Sequence, residues 1–161
     1  MTTTTPIIEE LEGLLKESIA KTFATMLSLP IEADQPNGFP QDATLVAASV
    51  GFIGEVTGVV YIYCTDAFAR RVTASMLGMS EPEVDGHEMV NDTMGEVGNM
   101  VVGQMKSRLC DRGRNCVLTI PSIVRGQRFC VEPTSNTTSR KVGFSSQGNP
   151  IRVEIMVKAS A

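Results

Sequence analysis

A chain of 161 residues, 42% apolar and 20% charged, has the size and composition of one globular domain that can bury a sizeable core. Its formal charge of −4 and pI near 5.0, with Arg and Lys scattered, argue against nucleic acid or an anionic membrane surface as the main partner, since both reward a concentrated basic patch. Cys64, Cys110, Cys116 and Cys130 form no C-x-x-C pair, no secretory n-region and h-region is seen at the N-terminus, and no apolar run approaches the roughly 20 residues of a bilayer span. A soluble, cytoplasmic, single-domain protein over residues 1–161 is therefore expected, with residues 1–5 as a frayed lead-in.

From Pro6 to Leu27 the apolar residues Ile7, Ile8, Leu11, Leu15, Ile19 and Met26 keep helical phase, with Thr5 and Pro6 as N-cap and first helical residue. Pro30 to Pro40 is polar and proline-rich and reads as a loop. Thr44 to Ile53 and Gly58 to Cys64 read as a hairpin around Gly54-Glu-Val-Thr-Gly58. Asp66 is placed to cap a helix over Ala67 to Leu77 that Gly78 stops, and Pro82 to Gly86 forms a further break. A long helix then spans about His87 to Arg112. Strand-like runs follow at Asn115 to Val124, Gln127 to Val131, Lys141 to Ser145 and Ile151 to Val157, with turns at Arg125-Gly126 and Gln147-Gly-Asn-Pro150. Helix plus hairpin, occurring twice, predicts an α+β fold made of two similar halves, with long helices laid on an antiparallel sheet.

The helix beginning near His87 carries the most informative stretch, Asp92-Thr-Met-Gly-Glu96-Val-Gly-Asn99-Met-Val-Val-Gly103. At roughly 100° per residue, Asp92, Glu96, Asn99 and Gly103 fall within about 60° of one another, while Val90, Met94, Val97, Gly98, Val101, Val102 and Met105 gather on the far side. A lone E-x-x-N is usually a solvated face, but three glycines change that reading. Gly95, Gly98 and Gly103 each cost a helix interior about 1 kcal/mol relative to alanine, which points to close backbone approach. Gly98 is phased to seat the helix on the sheet and Gly103 to admit a partner, with Met89 and Met100 as adaptable apolar flanks of the kind that suits protein docking. In the first helix Gly13, Glu17, Ala20 and Ala24 repeat the spacing, with alanine where Asn99 stands.

Absences narrow the chemistry. The single histidine, His87, is phased toward the apolar side, where a structural or capping role outweighs catalysis. No Cys/His/carboxylate cluster has metal spacing, and no phosphate-binding glycine loop or nucleophile elbow occurs. Asparagine cannot act as a general base, but its carboxamide can hold a water by donor and acceptor at once. Glu96, an acceptor-only group, suits a lysine on whatever docks. Together they describe a site completed by a partner that brings a labile phosphoryl group and a lysine.

Asp92, Glu96, Asn99, the following Gly103 and Pro121 in Leu-Thr-Ile-Pro-Ser match the (D/S)-x-x-x-E-x-x-N pattern with its later proline, and the chain resembles the CheX branch of the CheC/CheX/FliY family of chemotaxis phosphatases. The Gly54 to Gly58 turn and the Asp66-Ala-Phe-Ala-Arg helix agree, and one active helix instead of two, with Ala20 in the other, is the CheX arrangement. The resemblance implies dephosphorylation of the aspartyl phosphate of a CheY-like response-regulator receiver. Asn99 would orient the attacking water and Glu96 would bind the receiver's lysine. Mg²⁺ would come from the receiver, with no cofactor of the chain's own. Asp92, Met100 and Gly103 fall to partner binding, Asp92 with helix capping or orientation as an equal alternative, and Pro121 is expected to be structural. Homodimerisation is implied too; the edge of a late strand such as Ile151 to Val157 either serves as the pairing edge or is covered. The alternatives are a non-catalytic CheX-like module that docks on a receiver or other signalling partner, and a flagellar-switch-like structural subunit.

Overall fold

The computed structural model describes residues 6–35 and 38–159. The expected lead-in and the capping role of Thr5 lie outside these. Among the described residues the chain forms α1 (Ile7–Thr25), β1 (Glu32–Asp34), β2 (Leu45–Gly54), β3 (Gly58–Thr65), α2 (Asp66–Leu77), a 3₁₀ turn (Glu81–Glu83), α3 (Glu88–Asp111), β4 (Cys116–Leu118), β5 (Ser122–Gly126), β6 (Thr137–Ser146) and β7 (Asn149–Lys158).

All pairings are antiparallel, in the order β1-β6-β7-β3-β2-β4, with β5 also on β2. The two hairpins, β2-β3 and β6-β7, meet at β3-β7 in the middle of the sheet. Each helix-plus-hairpin half then lends its first strand to the other half: β1 pairs with β6, and β4 and β5 pair with β2. The halves are thus interlocked rather than merely adjacent, which ties the two long helices to one rigid sheet.

The helices cover one sheet face. Leu11, Leu15, Ile19 and Phe23 of α1 and Val97, Val101 and Met105 of α3 are buried against Val46, Ala48, Val50 and Phe52 of β2, Val60 and Ile62 of β3, and Val153 and Ile155 of β7. Burying each such side chain is worth about 1.5–3 kcal/mol, so this layer dominates the stability. α1 and α3 run antiparallel, tied by Gln104 to Thr22 at 2.9 Å, Arg108 to Glu17, and Arg112 to Glu10 at 2.7 Å.

Several expectations need correction. Pro6 sits at the N-cap of α1 rather than at its first helical position. Thr65, not Asp66, caps α2, its hydroxyl accepting from the Phe68 N–H at 3.1 Å. His87 holds the N-cap position of α3 but makes no side-chain cap and is exposed. The Pro30 to Pro40 loop contains β1, which is held by the ladder to β6 rather than by any pattern of its own. Gln127 to Val131 is not a strand; it crosses the back of the sheet, where Phe129 packs on Tyr63 with ring centroids 6.0 Å apart. Of the two alternatives for Ile151 to Val157 the structure takes the covered one, because β7 is flanked by β3 and β6 and cannot be a pairing edge.

Candidate functional site

Helix α3 buries the side its periodicity predicts: Val90, Met94, Val97, Val101, Val102, Met105 and Leu109 face the core. Gly98 is the seat. A Cβ there would stand 3.1 Å from Val50 Cγ2 and 3.5 Å from Ala48 Cβ, so glycine lets the helix settle onto β2. The opposite stripe is then presented outward, with Asp92 and Glu96 exposed and Asn99 and Gly103 half-buried.

A second wall rises beside this stripe. Leu118 pairs with Phe52 and Ser122 with Ser49, so that Thr119, Ile120 and Pro121 oppose only Val50 and Gly51. This is a β-bulge, and it splits into β4 and β5 the run expected to be one strand over Asn115 to Val124. Pro121 cannot donate to the ladder, which is why the strand breaks where it does. The bulge is pinned on both sides. The Gly51 N–H donates to Thr119 Oγ1 at 2.8 Å, the Thr119 N–H donates to the Gly51 carbonyl at 2.9 Å, and the Ser49 and Ser122 hydroxyls are 2.7 Å apart. Pro121 is thereby turned toward α3, where its Cγ and Cβ lie 3.6 and 3.7 Å from the position a Gly95 Cβ would take.

Between helix and bulge lies an open cleft of about 420 Å³, lined by Asn91, Asp92, Gly95, Glu96, Asn99, Pro121 and Ile123. Its end is fixed by Arg125, whose guanidinium bonds Asp66 Oδ1 and donates from Nη2 to Asn91 Oδ1 at 2.8 Å. Asp66 also accepts from Arg70 Nε at 3.0 Å. Partial burial works against the Asp66 carboxylate, but the hydrogen bonds from Arg125 and Arg70 outweigh it and hold its pKa below the usual carboxylate value. One largely buried arginine thus joins β5, the start of α2 and the first turn of α3.

The structure brings Asp92, Glu96 and Asn99 together with Pro121, and leaves Met100 and Gly103 outside the cleft. Met100 is half-buried at the edge of the core, and Gly103 has open space around its Cα. Gly95, read from the sequence only as a point of close backbone approach, also lines the cleft, and Asn91 and Ile123 are lining residues that sequence reasoning missed. The one available signal was a proline inside an otherwise regular strand pattern. Among the described residues, neither carboxylate of the stripe takes part in an ion pair, whereas Glu17 of α1 is engaged by Arg108. Also among the described residues, no group of three or more His, Cys, Asp or Glu side chains is placed to hold a metal ion, and no helix is long and apolar enough to cross a membrane. A larger hollow of about 590 Å³, near Gly54, Arg114 and Lys158, lies at the far end of α3 from this cleft.

A helix face and a bulged strand thus enclose an open, polar cleft at one side of an α+β domain whose helices cover an antiparallel sheet. The family model described as "Chemotaxis phosphatase CheX" matches residues 46–145, which include β2 through the bulge and all of the site, and the chain belongs to that family. A curated relative, the CheY-P phosphatase CheX of Thermotoga maritima, is 29% identical over 79 residues, 48% of this chain; the match spans half of that relative's length. The chemotaxis protein CheX from Vibrio vulnificus superposes with a TM-score of 0.79 at 24% identity over 92% of this chain and 99% of its own. The chain also matches a CheX–CheY–BeF₃–Mg²⁺ complex from Borrelia burgdorferi with a TM-score of 0.74, at 23% identity over 92% of this chain and 97% of that one. At such identities the structural likenesses establish the fold.

Proposed function

We propose that this protein hydrolyses the aspartyl phosphate of a CheY-like receiver domain by positioning the attacking water. The observation that carries the reading is a carboxylate and a carboxamide one helical turn apart on the wall of an open cleft, neither engaged within the described chain. The name of the Thermotoga maritima relative and the composition of the Borrelia burgdorferi complex support the same reading.

An acyl phosphate is already activated, so positioning supplies most of what its hydrolysis needs. The Asn99 carboxamide accepts from and donates to one water, aligning its oxygen with phosphorus, opposite the acyl oxygen. As the water oxygen bonds to phosphorus, the bond to the acyl oxygen breaks, the aspartate carboxylate leaves, and the water's proton departs with inorganic phosphate. Glu96 pairs with the receiver's lysine and sets the register of the two surfaces. Mg²⁺ on the receiver offsets charge on the phosphoryl oxygens. Fixing one water and one ion pair is worth a few kcal/mol, on the order of 10²-fold in rate for 2.7 kcal/mol.

Asp92, at the mouth of the cleft, borders the docking surface together with Met100 and Gly103. The reading places the protein in the cytoplasm, where receivers work. If two copies pair through a sheet edge, the edge formed by β4 and β5 is favoured over β1, because it exposes Val117 and Val124 where β1 is three exposed residues long. The deciding experiment is phosphate release from a phosphorylated cognate receiver with and without this protein. Stimulated release is expected; tight binding without release would make the protein a docking module instead.

A further inference from the structure

Three glycines interrupt α3, and packing explains only one of them. Gly98 is required by Val50, as its missing Cβ would sit 3.1 Å from that side chain. Gly95 is different. A Cβ there would meet only Pro121, at ordinary contact distances of 3.6 and 3.7 Å, with nothing else within 4 Å, and Gly95 nonetheless lines the cleft one turn before Asn99. The fold has room for alanine at a position where glycine weakens a helix interior.

We propose that Gly95 is a specificity-determining residue whose absent side chain keeps the cleft deep enough for the partner's phosphoryl-bearing surface to reach Asn99. The inference rests on the functional reading above. A methyl at position 95 would stand on the cleft floor against Pro121, in the space between the bulge and the helix. The helix would gain from it while the docked partner would be held off the water-binding carboxamide, and a displacement of about 1 Å can cost on the order of 10²-fold in rate. Gly13 of α1 provides the control. It is exposed, has nothing at all within 4 Å of its would-be Cβ, and lies on the helix whose stripe lacks the asparagine.

The test compares Gly95→Ala, Gly95→Ser and Gly13→Ala for thermal melting, for receiver-phosphate release, and for affinity toward a receiver loaded with beryllofluoride. All three variants are expected to fold, with Gly95→Ala and Gly13→Ala melting at or up to about 4 °C above the parent. Both substitutions at Gly95 are expected to lower phosphate release at least tenfold and to weaken binding of the loaded receiver, in step with bulk rather than polarity. Gly13→Ala should retain parental activity. Parental release by Gly95→Ala overturns this inference alone, as does a lowered melting temperature that accounts for the lost activity. A parent protein that releases no phosphate overturns the functional reading and this inference with it.

Discussion

The stripes of α1 and α3 sit in equivalent places in two interlocked halves, yet only one has the makings of a site. On α3 Glu96 is exposed, Asn99 follows it by one turn, and the neighbouring strand bulges to bring Pro121 over Gly95. On α1 the matching glutamate, Glu17, is taken up by Arg108, Ala20 stands at the asparagine position, and the strand lent across the sheet, β1, is a plain three-residue ladder. An asparagine on the stripe is therefore not enough to make a site. A free carboxylate and a second wall come with it, and both are products of tertiary structure.

That contrast can be broken most severely at Asn99. Asn99→Ala is expected to slow receiver dephosphorylation about 100-fold in a phosphate-release assay, because under the proposed mechanism the attacking water would lose its holder. Glu96→Ala should weaken receiver binding and rate together, each about tenfold, seen as a raised half-saturation concentration in the same assay. Arg125→Met removes the strut between β5, Asp66 and Asn91. It should reduce the rate about fivefold through a loosened Pro121 wall and lower stability by about 2–3 kcal/mol in chemical denaturation, since two acceptors lose a charged donor.

Asp66→Asn sharpens the same point through pH. A carboxyl group whose pKa is depressed in the folded state contributes stability that is present above its unfolded pKa and fades as the pH falls through the folded value. The variant should therefore be less stable than the parent by about 1–3 kcal/mol at neutral pH, with the gap closing in acid, as followed by denaturation at stepped pH. The smallest effect is expected from Ala20→Asn placed on the Asn99→Ala background. No activity should return, because the α1 stripe lacks both the free carboxylate and the bulged wall.

Much of this arrangement was legible in the residues, for stated reasons. The apolar period of α3 placed its buried and presented faces correctly, because a long amphipathic helix on a sheet has one stable orientation. The bulge was not legible from alternation, which runs on from Asn115 to Val124; only Pro121 contradicts it. Arg125 reads as a turn residue beside Gly126, and nothing local shows that it is largely buried against Asp66, 59 residues away. β7 reads as a candidate edge, although its nearly continuous burial from Ile151 to Val157 is what an interior strand shows. Gln127 to Val131 has the residues of a strand but uses Phe129 to cover Tyr63 on the back of the sheet. Each miss involves a long-range partner that decides between two locally acceptable conformations.

The most direct test of the central claim is the single-turnover rate of receiver-phosphate hydrolysis at saturating Asn99→Ala protein, taken beside its affinity for the beryllofluoride-loaded receiver. A rate at the receiver's own background, with near-parental affinity, is expected. Hydrolysis at the parental rate by the saturating variant would contradict it.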